Sequence, residues 1–243
     1  MKILKFIPNT ITSMNLLCGV IGVIFTVEGH IDYALPLMLA AAVFDFMDGF
    51  SARLLKAYSE IGKQLDSLSD MVSFGVLPAV MLFKTMKNGG YEILCFIPLI
   101  IAVFSALRLA KFNIDVRQGD SFIGLATPSS AMICGAITYY AFIKPESLIA
   151  EIVATAWFIP VLAIVLSALM VSELPMFAMK FGKGKKIDSI TKMKRIAFLT
   201  IIAILSIVVI ITMSNWSLII LLTFSIYVIM NIIFYFIPCM RQN

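Results

Sequence analysis

Four aspartates stand in two closely spaced pairs within otherwise apolar sequence. The first pair, Asp45 and Asp48, is three residues apart, and the second pair, Asp66 and Asp70, is four residues apart. On α-helices these spacings place both members of a pair on the same face, within about one turn. Ionisable side chains in apolar, membrane-type segments are costly, and by default they mark a functional site. We therefore take the four carboxylates as the candidate site.

The chemistry of the four carboxylates favours a divalent cation. A short loop between the two predicted helices makes them antiparallel neighbours, so all four side chains reach the same depth. Four like charges at one depth repel strongly unless cations lie between them. Because carboxylate oxygens are hard ligands and no His or Cys stands nearby, the set suits Mg²⁺ or Mn²⁺ better than Zn²⁺ or Cu²⁺. Four carboxylates can hold two ions, and paired ions clamp a phosphoryl group during its transfer.

Small and basic residues stand between the two pairs. Gly49 leaves room for a ligand to approach the backbone, and Ala52 keeps the same region small. Arg53 presents a planar guanidinium fork suited to phosphate, and Gly62 is either a loop hinge or another point of close approach. Taken singly, a membrane glycine is most simply explained by helix packing. The spaced set as a whole favours a phosphate-binding site.

The composition indicates which elements position these residues. Hydrophobic residues make up 61% of the 243 residues and charged residues only 14%, with a mean hydropathy of +1.01. In a soluble domain roughly 45–50% of the residues are hydrophobic and about 25% are charged. Because a helix needs about 20 apolar residues to cross a bilayer, we predict an all-α integral membrane protein, a bundle of about eight transmembrane helices. The predicted spans are residues 9–28, 32–55, 65–84, 91–112, 125–143, 149–172, 195–213 and 216–237.

The Lys and Arg residues predict the orientation of this bundle. If the N-terminus faces the cytoplasm, all 19 Lys and Arg residues except Lys84, Lys87 and Lys144 fall in cytoplasmic segments, as the positive-inside rule requires. Both termini and the aspartate site are therefore predicted to face the cytoplasm. The Lys-rich stretch 173–195 is predicted to be a loop that fixes topology or, alternatively, a contact for anionic lipid headgroups. The net charge of +5 follows topology, and no nucleic-acid partner is expected.

The aspartates and their neighbours form one continuous pattern, D-x2-D-G-x2-A-R-x8-G-x3-D-x3-D. Its fixed positions are Asp45, Asp48, Gly49, Ala52, Arg53, Gly62, Asp66 and Asp70. In residue type and spacing the pattern resembles the signature of the CDP-alcohol phosphatidyltransferase family without departure. The resemblance implies an enzyme that displaces CMP from a CDP-linked lipid with an alcohol and that needs a divalent metal. It also implies a membrane domain that often dimerises.

The resemblance assigns roles that the residues alone leave open. Attack on a pyrophosphate-linked lipid needs charge neutralisation, an in-line nucleophile and a group that accepts its proton, but spacing does not say which aspartate is the base. By resemblance, all four aspartates are metal ligands and Asp70 is also the base. Gly49, Arg53 and Ser59 match positions that contact the CDP-lipid, and Gly62 is grouped with them.

Further stretches resemble the serine-using branch of that family. They are residues 7–19, 65–75, 106–113 and 124–128. This likeness implies CDP-diacylglycerol and L-serine as substrates. Two positions depart from the branch pattern: Lys111 stands where Arg is frequent, which keeps the charge but loses the fork, and Ala126 stands where Pro is frequent. We expect one domain over residues 1–243, with its signature at 45–70 and the last two helices, 195–237, as a C-terminal addition.

Residues at the ends of other spans have two interpretations each. Asn9 and Thr10 either cap the first helix or contact the nucleotide. Arg108 and Lys111, together with Asn113, end the fourth span, where they either extend to the membrane interface or bind the serine carboxylate or a lipid phosphate. Thr127-Pro128 is predicted to start the fifth helix.

Two alternatives to serine transfer remain open. One is the same reaction with another alcohol, such as glycerol 3-phosphate or an inositol compound. The other is a divalent-cation transporter whose aspartates line a path. A transporter path is expected near the bilayer midplane, often between repeated halves, whereas these carboxylates cluster towards one membrane face. The pattern therefore favours an enzyme that draws on a cytoplasmic substrate.

Overall fold

The computed structural model describes residues 6–115, 121–177 and 189–236. Helices dominate these ranges. They are α1 (Phe6–Glu28), α2 (Ile31–Leu54), α3 (Glu60–Asp70), α4 (Leu77–Asn88), α5 (Ile100–Ile114), α6 (Thr127–Ile143), α7 (Leu148–Val153), α8 (Phe158–Val171), α9 (Ser189–Ile211) and α10 (Ser217–Phe236). A π-helical segment, Met71–Val76, joins α3 to α4, and a 3₁₀-helix, Leu94–Leu99, leads into α5.

The structure supports a helical membrane protein. Among the described residues, six helical segments are long and apolar enough to cross a bilayer, including a continuous 29-residue segment from Glu60 to Asn88. The fifth predicted span is α6, which has 17 residues and is buried along most of its length. The sixth predicted span, 149–172, is not one helix, because α7 and α8 divide it. The count of eight transmembrane helices therefore stays a prediction.

Two short strands are an addition to the predicted all-α fold. β1 (Ser121–Ile123) pairs antiparallel with β2 (Pro175–Phe177). Gly124 follows β1 with φ +74°, and a Cβ at that position would lie 2.6 Å from the Met170 carbonyl oxygen. Only glycine fits such a close approach without strain. The Lys cluster of the predicted loop, Lys180 to Lys186, lies outside the described residues.

Small residues bring α1 against the segment that carries the second aspartate pair. A Cβ at Gly19 would collide with the Ser73 side chain and lie 2.9 Å from its Cα, and a Cβ at Gly22 would lie 2.8 Å from a methyl carbon of Leu77. Helices that lack side chains at the contact can approach each other closely in membranes. The predicted packing role of membrane glycines therefore holds on α1.

The first residues of three helices can be compared with the sequence. Ser59 is the N-cap of α3, where its hydroxyl accepts a hydrogen bond from the Gly62 amide at 3.0 Å. α6 begins at Thr127, as predicted. The prediction that Asn9 or Thr10 caps the first helix is wrong, because α1 already runs from Phe6. Both residues lie inside that helix.

Candidate metal centre

Three of the four aspartates converge on one point. Asp45 and Asp48 come from the second half of α2, and Asp66 comes from the middle of α3. One carboxylate oxygen from each lies within 4.8 Å of the other two. Because Mg²⁺ and Mn²⁺ bind oxygen at roughly 2.0–2.2 Å, two oxygens on one ion are at most about 4.4 Å apart, so a small adjustment of these side chains would let one ion contact all three residues. The donor set therefore fits a hard divalent cation.

Helix α1 holds one of these carboxylates from the side. The Thr12 hydroxyl donates to an Asp48 carboxylate oxygen at 2.5 Å, and Asp48 is only 6% exposed. The Thr12 carbonyl in turn accepts a hydrogen bond from Ser69 of α3 at 3.2 Å. The bond from Thr12 to the Asp48 carboxylate is charge-assisted, and such hydrogen bonds are short and strong. Thr12 thus orients a predicted metal ligand while its backbone ties α1 to α3.

The fourth aspartate has a different environment. Asp70 lies one turn beyond Asp66, at the end of α3, and the π-helical segment starts at the next residue. It is buried, and its Oδ1 accepts a hydrogen bond from the Asn15 amide nitrogen at 3.2 Å. Asp70 is not part of the three-carboxylate group. Its predicted roles as a metal ligand and as the base therefore stay predictions.

A cavity of about 250 Å³ opens beside the three carboxylates. Its lining residues are Pro8, Asn9, Thr12, Asp45, Asp48, Gly49, Ala52, Ala57, Tyr58, Ser59, Gly62, Lys63 and Asp66. Four of the residues predicted to bind the CDP-lipid lie here: Asn9, Gly49, Ser59 and Gly62. Elements α1, α2 and α3 all contribute, so one cavity gathers positions that are distant in sequence.

Two other residues predicted to bind the CDP-lipid do not line this cavity. The exposed Arg53 donates from Nε to the Gly49 carbonyl at 2.9 Å, and the exposed Thr10 donates to the Phe6 carbonyl at 2.8 Å. Thr10 uses its hydroxyl within its own helix. Arg53 bonds to the carbonyl of Gly49, which is itself a cavity residue.

The two glycines of the signature do different things. No atom outside the immediate chain neighbours lies within 4 Å of a Cβ built on Gly49, so this position faces open space. A Cβ on Gly62 would lie 2.9 Å from both the Asn9 Oδ1 and the Ser59 Oγ. Gly49 therefore leaves room for a ligand, whereas Gly62 lets two polar side chains meet over the α3 N-terminus.

Lys63 is a cavity residue that sequence analysis did not select. Its ammonium donates to the Asn113 carbonyl at 3.2 Å, which joins the cavity to the end of α5. The Asn113 side chain donates to the Ser67 hydroxyl at 2.8 Å. Asn113, predicted to bind serine or phosphate, is thus engaged in pairing α5 with α3.

The remaining predicted acceptor-binding residues, Arg108 and Lys111, lie deeper along α5. Arg108 is 6% exposed, and its Nε donates to the Leu125 carbonyl at 2.6 Å. Its guanidinium lies 5.4 Å from the Phe112 ring centre, and its charge attracts the Asp70 carboxylate. The alternative in which Arg108 extends to the membrane interface is wrong, since the side chain is buried. Lys111 borders a small crevice beside Arg108.

Helix α1 carries a stripe of residues to which sequence analysis assigned no separate role. Its buried members recur every three or four positions at Thr12, Asn15, Gly19, Gly22 and Thr26. This is the period of one helix face. The stripe packs against α3 and the π-helical segment, and Thr12 and Asn15 bond to aspartates. The spacing of small and polar residues in an apolar segment was the signal that would have found it.

Comparison with known proteins agrees with the site. The family model for CDP-alcohol phosphatidyltransferase matches residues 5–157, which include α1 to α7 and every aspartate of the centre. The chain therefore belongs to the CDP-alcohol phosphatidyltransferase family. The matched region ends before α8, so α9 and α10 lie beyond it.

Several curated relatives are named for transfer to serine. The chain is 35% identical over 135 residues to an archaetidylserine synthase of Methanothermobacter thermautotrophicus, covering 54% of this chain and 58% of the relative. It is 35% identical over 133 residues to a CDP-diacylglycerol–serine O-phosphatidyltransferase of Bacillus subtilis, covering 53% and 73%. A protein with the same name from Mycobacterium leprae is 34% identical over 139 residues, covering 53% and 45%. The alignments thus span about half to three quarters of these relatives.

Proposed function

We propose that this protein transfers the phosphatidyl group of CDP-diacylglycerol to the hydroxyl of L-serine, giving phosphatidylserine and CMP. The observation that carries the proposal is the convergence of Asp45, Asp48 and Asp66 beside a cavity that Gly49, Ala52 and Gly62 of the family signature also line. The relatives' names support serine as the acceptor, because the archaeal and bacterial proteins differ in the lipid named but share serine.

The three converging aspartates would hold Mg²⁺ or Mn²⁺, which would supply positive charge to the pyrophosphate of the CDP-lipid. A second ion would need a further ligand, and Asp70 is the candidate. The cavity beside these aspartates is where the nucleotide end of the substrate would bind. Gly49 leaves open space for it, and Lys63 and Arg53 stand close enough to add positive charge.

The transfer step can be written with all atoms assigned. The serine hydroxyl oxygen forms a bond to the phosphorus that carries diacylglycerol, and the bond from that phosphorus to the bridging pyrophosphate oxygen breaks. CMP leaves with the electron pair, and the hydroxyl proton passes to Asp70. Asp70 is the candidate because its Oδ1 accepts a hydrogen bond from Asn15 and because it is not one of the three converging ligands. A base must lie within hydrogen-bond reach of the proton that it removes.

The proposed orientation places this cavity on the cytoplasmic side. Lys84, one of the three basic residues assigned to the outside, supports this orientation. It donates to the Val27 carbonyl, which lies at the opposite end of α1 from Asn9 and Thr12. Serine, metal ions and departing CMP are soluble, so a site near the helix ends reaches them directly. A transporter path is disfavoured, because the carboxylates lie in the second half of α2 and the first half of the continuous segment Glu60–Asn88, towards one end of the bundle.

An acceptor panel tests the proposal. The purified protein in detergent is given CDP-diacylglycerol with Mg²⁺ or Mn²⁺ and, separately, L-serine, glycerol 3-phosphate or inositol. We expect CMP and phosphatidylserine with serine alone, and no CMP after chelation of the metal. Turnover with glycerol 3-phosphate but not serine would assign the same reaction to another alcohol. Metal flux in vesicles without CMP release would favour the transporter.

A further inference from the structure

Asn15 is a fully enclosed polar side chain beside the centre. It is 0% exposed, on the face of α1 that meets α3 and the π-helical segment. Its amide nitrogen donates to Asp70, and its backbone carbonyl accepts a hydrogen bond from the Ser73 hydroxyl at 3.0 Å. Its side-chain oxygen, Oδ1, has no hydrogen-bond partner among the described residues.

An enclosed oxygen without a donor is unusual in a folded protein. Leaving such an acceptor unpaired costs about 1–3 kcal/mol, and the large majority of buried polar atoms have a partner in the protein or in ordered water. Among the described residues, the Asn15 oxygen is one of a few such exceptions, and it lies two bonds from the nitrogen that donates to Asp70. Its position beside the proposed base indicates that a donor arrives with a ligand.

We propose that Asn15 makes the site selective for an amino alcohol. Its amide nitrogen fixes Asp70, which receives the hydroxyl proton, and its amide oxygen accepts a hydrogen bond from the ammonium group of the same acceptor molecule. This inference rests on the proposed phosphatidyl transfer and adds a residue that chooses among alcohols. Asn15 is thus a specificity residue and also a positioning residue for Asp70.

The geometry suits an acceptor whose hydroxyl and ammonium are on adjacent carbons. The amide oxygen and nitrogen of Asn15 share one carbon, and the nitrogen lies 3.2 Å from the Asp70 Oδ1. With hydrogen bonds of roughly 3 Å on either side, such an acceptor can bridge the Asp70 and Asn15 oxygens.

Alcohols without an amine cannot complete this arrangement. Glycerol 3-phosphate and inositol offer hydroxyls but no ammonium, so a strong charge-assisted bond to the Asn15 oxygen is lost. Sites built around a buried polar group reject ligands that leave that group unpaired. The oxygen is enclosed in this conformation, so side chains around it shift when the acceptor binds, as is common at binding sites.

The test combines a change in the protein with a change in the substrate. The kcat/KM for L-serine and for 3-hydroxypropanoate, which is serine without its amino group, is measured for the wild type and for Asn15→Leu. We expect the wild type to prefer serine by at least about 10- to 100-fold, the value of one charged hydrogen bond. In Asn15→Leu this preference should fall to within a few-fold of unity, because the group that senses the amine is gone.

The matched control is Thr26→Val, a change at another buried polar position of α1 whose hydroxyl bonds only within its own helix. It should keep the full preference for serine. Binding of CDP-diacylglycerol checks that each variant is folded, and Asn15→Ala replaces Asn15→Leu if the larger side chain prevents folding. A wild type that uses 3-hydroxypropanoate as well as serine overturns the inference without any variant.

The outcomes separate this inference from the proposed function. If the wild type turns over serine and the preference is equal in wild type and Asn15→Leu, Asn15 is structural and only the inference fails. If the wild type ignores serine and uses glycerol 3-phosphate, the proposed function fails, and the inference fails with it.

Discussion

At the residue scale, the four aspartates divide into a group of three and one that stands apart. Asp45, Asp48 and Asp66 share a centre, whereas Asp70 is bonded to Asn15. Identical side chains can thus differ in role through their neighbours alone. Sequence spacing predicted one location for all four aspartates, which holds for Asp45, Asp48 and Asp66, and the roles of Asp70 stay predictions.

The division predicts different defects for two isosteric substitutions. Asp70→Asn should reduce kcat by about 10²- to 10⁴-fold, the contribution of a general base, while CDP-diacylglycerol binding largely survives. Asp45→Asn should raise the metal concentration needed for half-maximal activity, because a converging ligand is lost. Turnover and metal titrations distinguish them, with Asp32→Asn, at the opposite end of α2, as the control. A near-normal rate for Asp70→Asn would falsify its assignment as the base.

The two signature glycines give a second matched pair. In Gly62→Ala the added carbon would lie 2.9 Å from the Asn9 and Ser59 oxygens. This overpacking should lower thermal stability and weaken CDP-lipid binding by about 10-fold or more. Gly49→Ala should leave stability unchanged, since nothing lies within 4 Å of its Cβ, but it should weaken binding by filling space meant for ligand. Binding isotherms and thermal unfolding in detergent measure both. Equal stability of the two variants would contradict the geometry.

At the element scale, the π-helical segment Met71–Val76 separates the candidate site from the regular helix that follows. Ser73 within it bonds to the Asn15 carbonyl and meets Gly19 without intervening side chains. π-helical turns occur frequently at functional sites. This contact sets the axial position of α1 relative to α3. It therefore also sets the positions of Thr12 and Asn15 relative to Asp48 and Asp70.

This contact predicts unequal effects for two alanine substitutions on α1. Gly19→Ala should destabilise the protein by about 1–3 kcal/mol, as overpacking does. Combining it with Ser73→Ala should not restore stability, since the Ser73 Cα also lies too close. Gly22→Ala should cost less, because its nearest contacts are the terminal methyl carbons of the Leu77 side chain and not backbone atoms. Thermal unfolding in one detergent ranks the variants, and full rescue by Ser73→Ala would refute the backbone contact.

Sequence predicted the long helices well because their signal is composition over about 20 residues. Sequence failed where the structure depends on a short break within an apolar segment or on pairing between distant segments. The break between α7 and α8 lies in apolar sequence that reads as one span, and β1 and β2 depend on pairing between segments some fifty residues apart. The candidate site was found from the spaced aspartates. Lys63 and Asn15 were missed because their importance comes from contacts across helices.

At the scale of the whole molecule, the polar centre and the three basic residues assigned to the outside lie at opposite ends of the bundle. The cavity is built by the start of α1, the end of α2 and the start of α3, while Lys84 reaches the last turn of α1. This separation is what the positive-inside rule predicts for a site on the cytoplasmic side.

The orientation is testable by labelling. In a variant with its four cysteines replaced, Tyr58→Cys at the cavity mouth should react with an impermeant maleimide only in inside-out vesicles. Ile93→Cys, which is 83% exposed and lies in the connection before α5, should react only in right-side-out vesicles. The reverse pattern would invert the proposed topology while leaving the centre intact.

The last helix described in the structure has a consequence for how the chain is made. α10 lies outside the family match, yet its Leu221 and Val228 are buried in the same core as Ile133 and Ile137 of α6. Chains emerge from the ribosome N-terminus first. The helices that build the cavity are therefore inserted long before α10 can cover α6. During that interval the apolar face of α6 that α10 later covers must contact lipid, insertion machinery or another helix. Membrane lipid can therefore cover this face until synthesis is nearly complete.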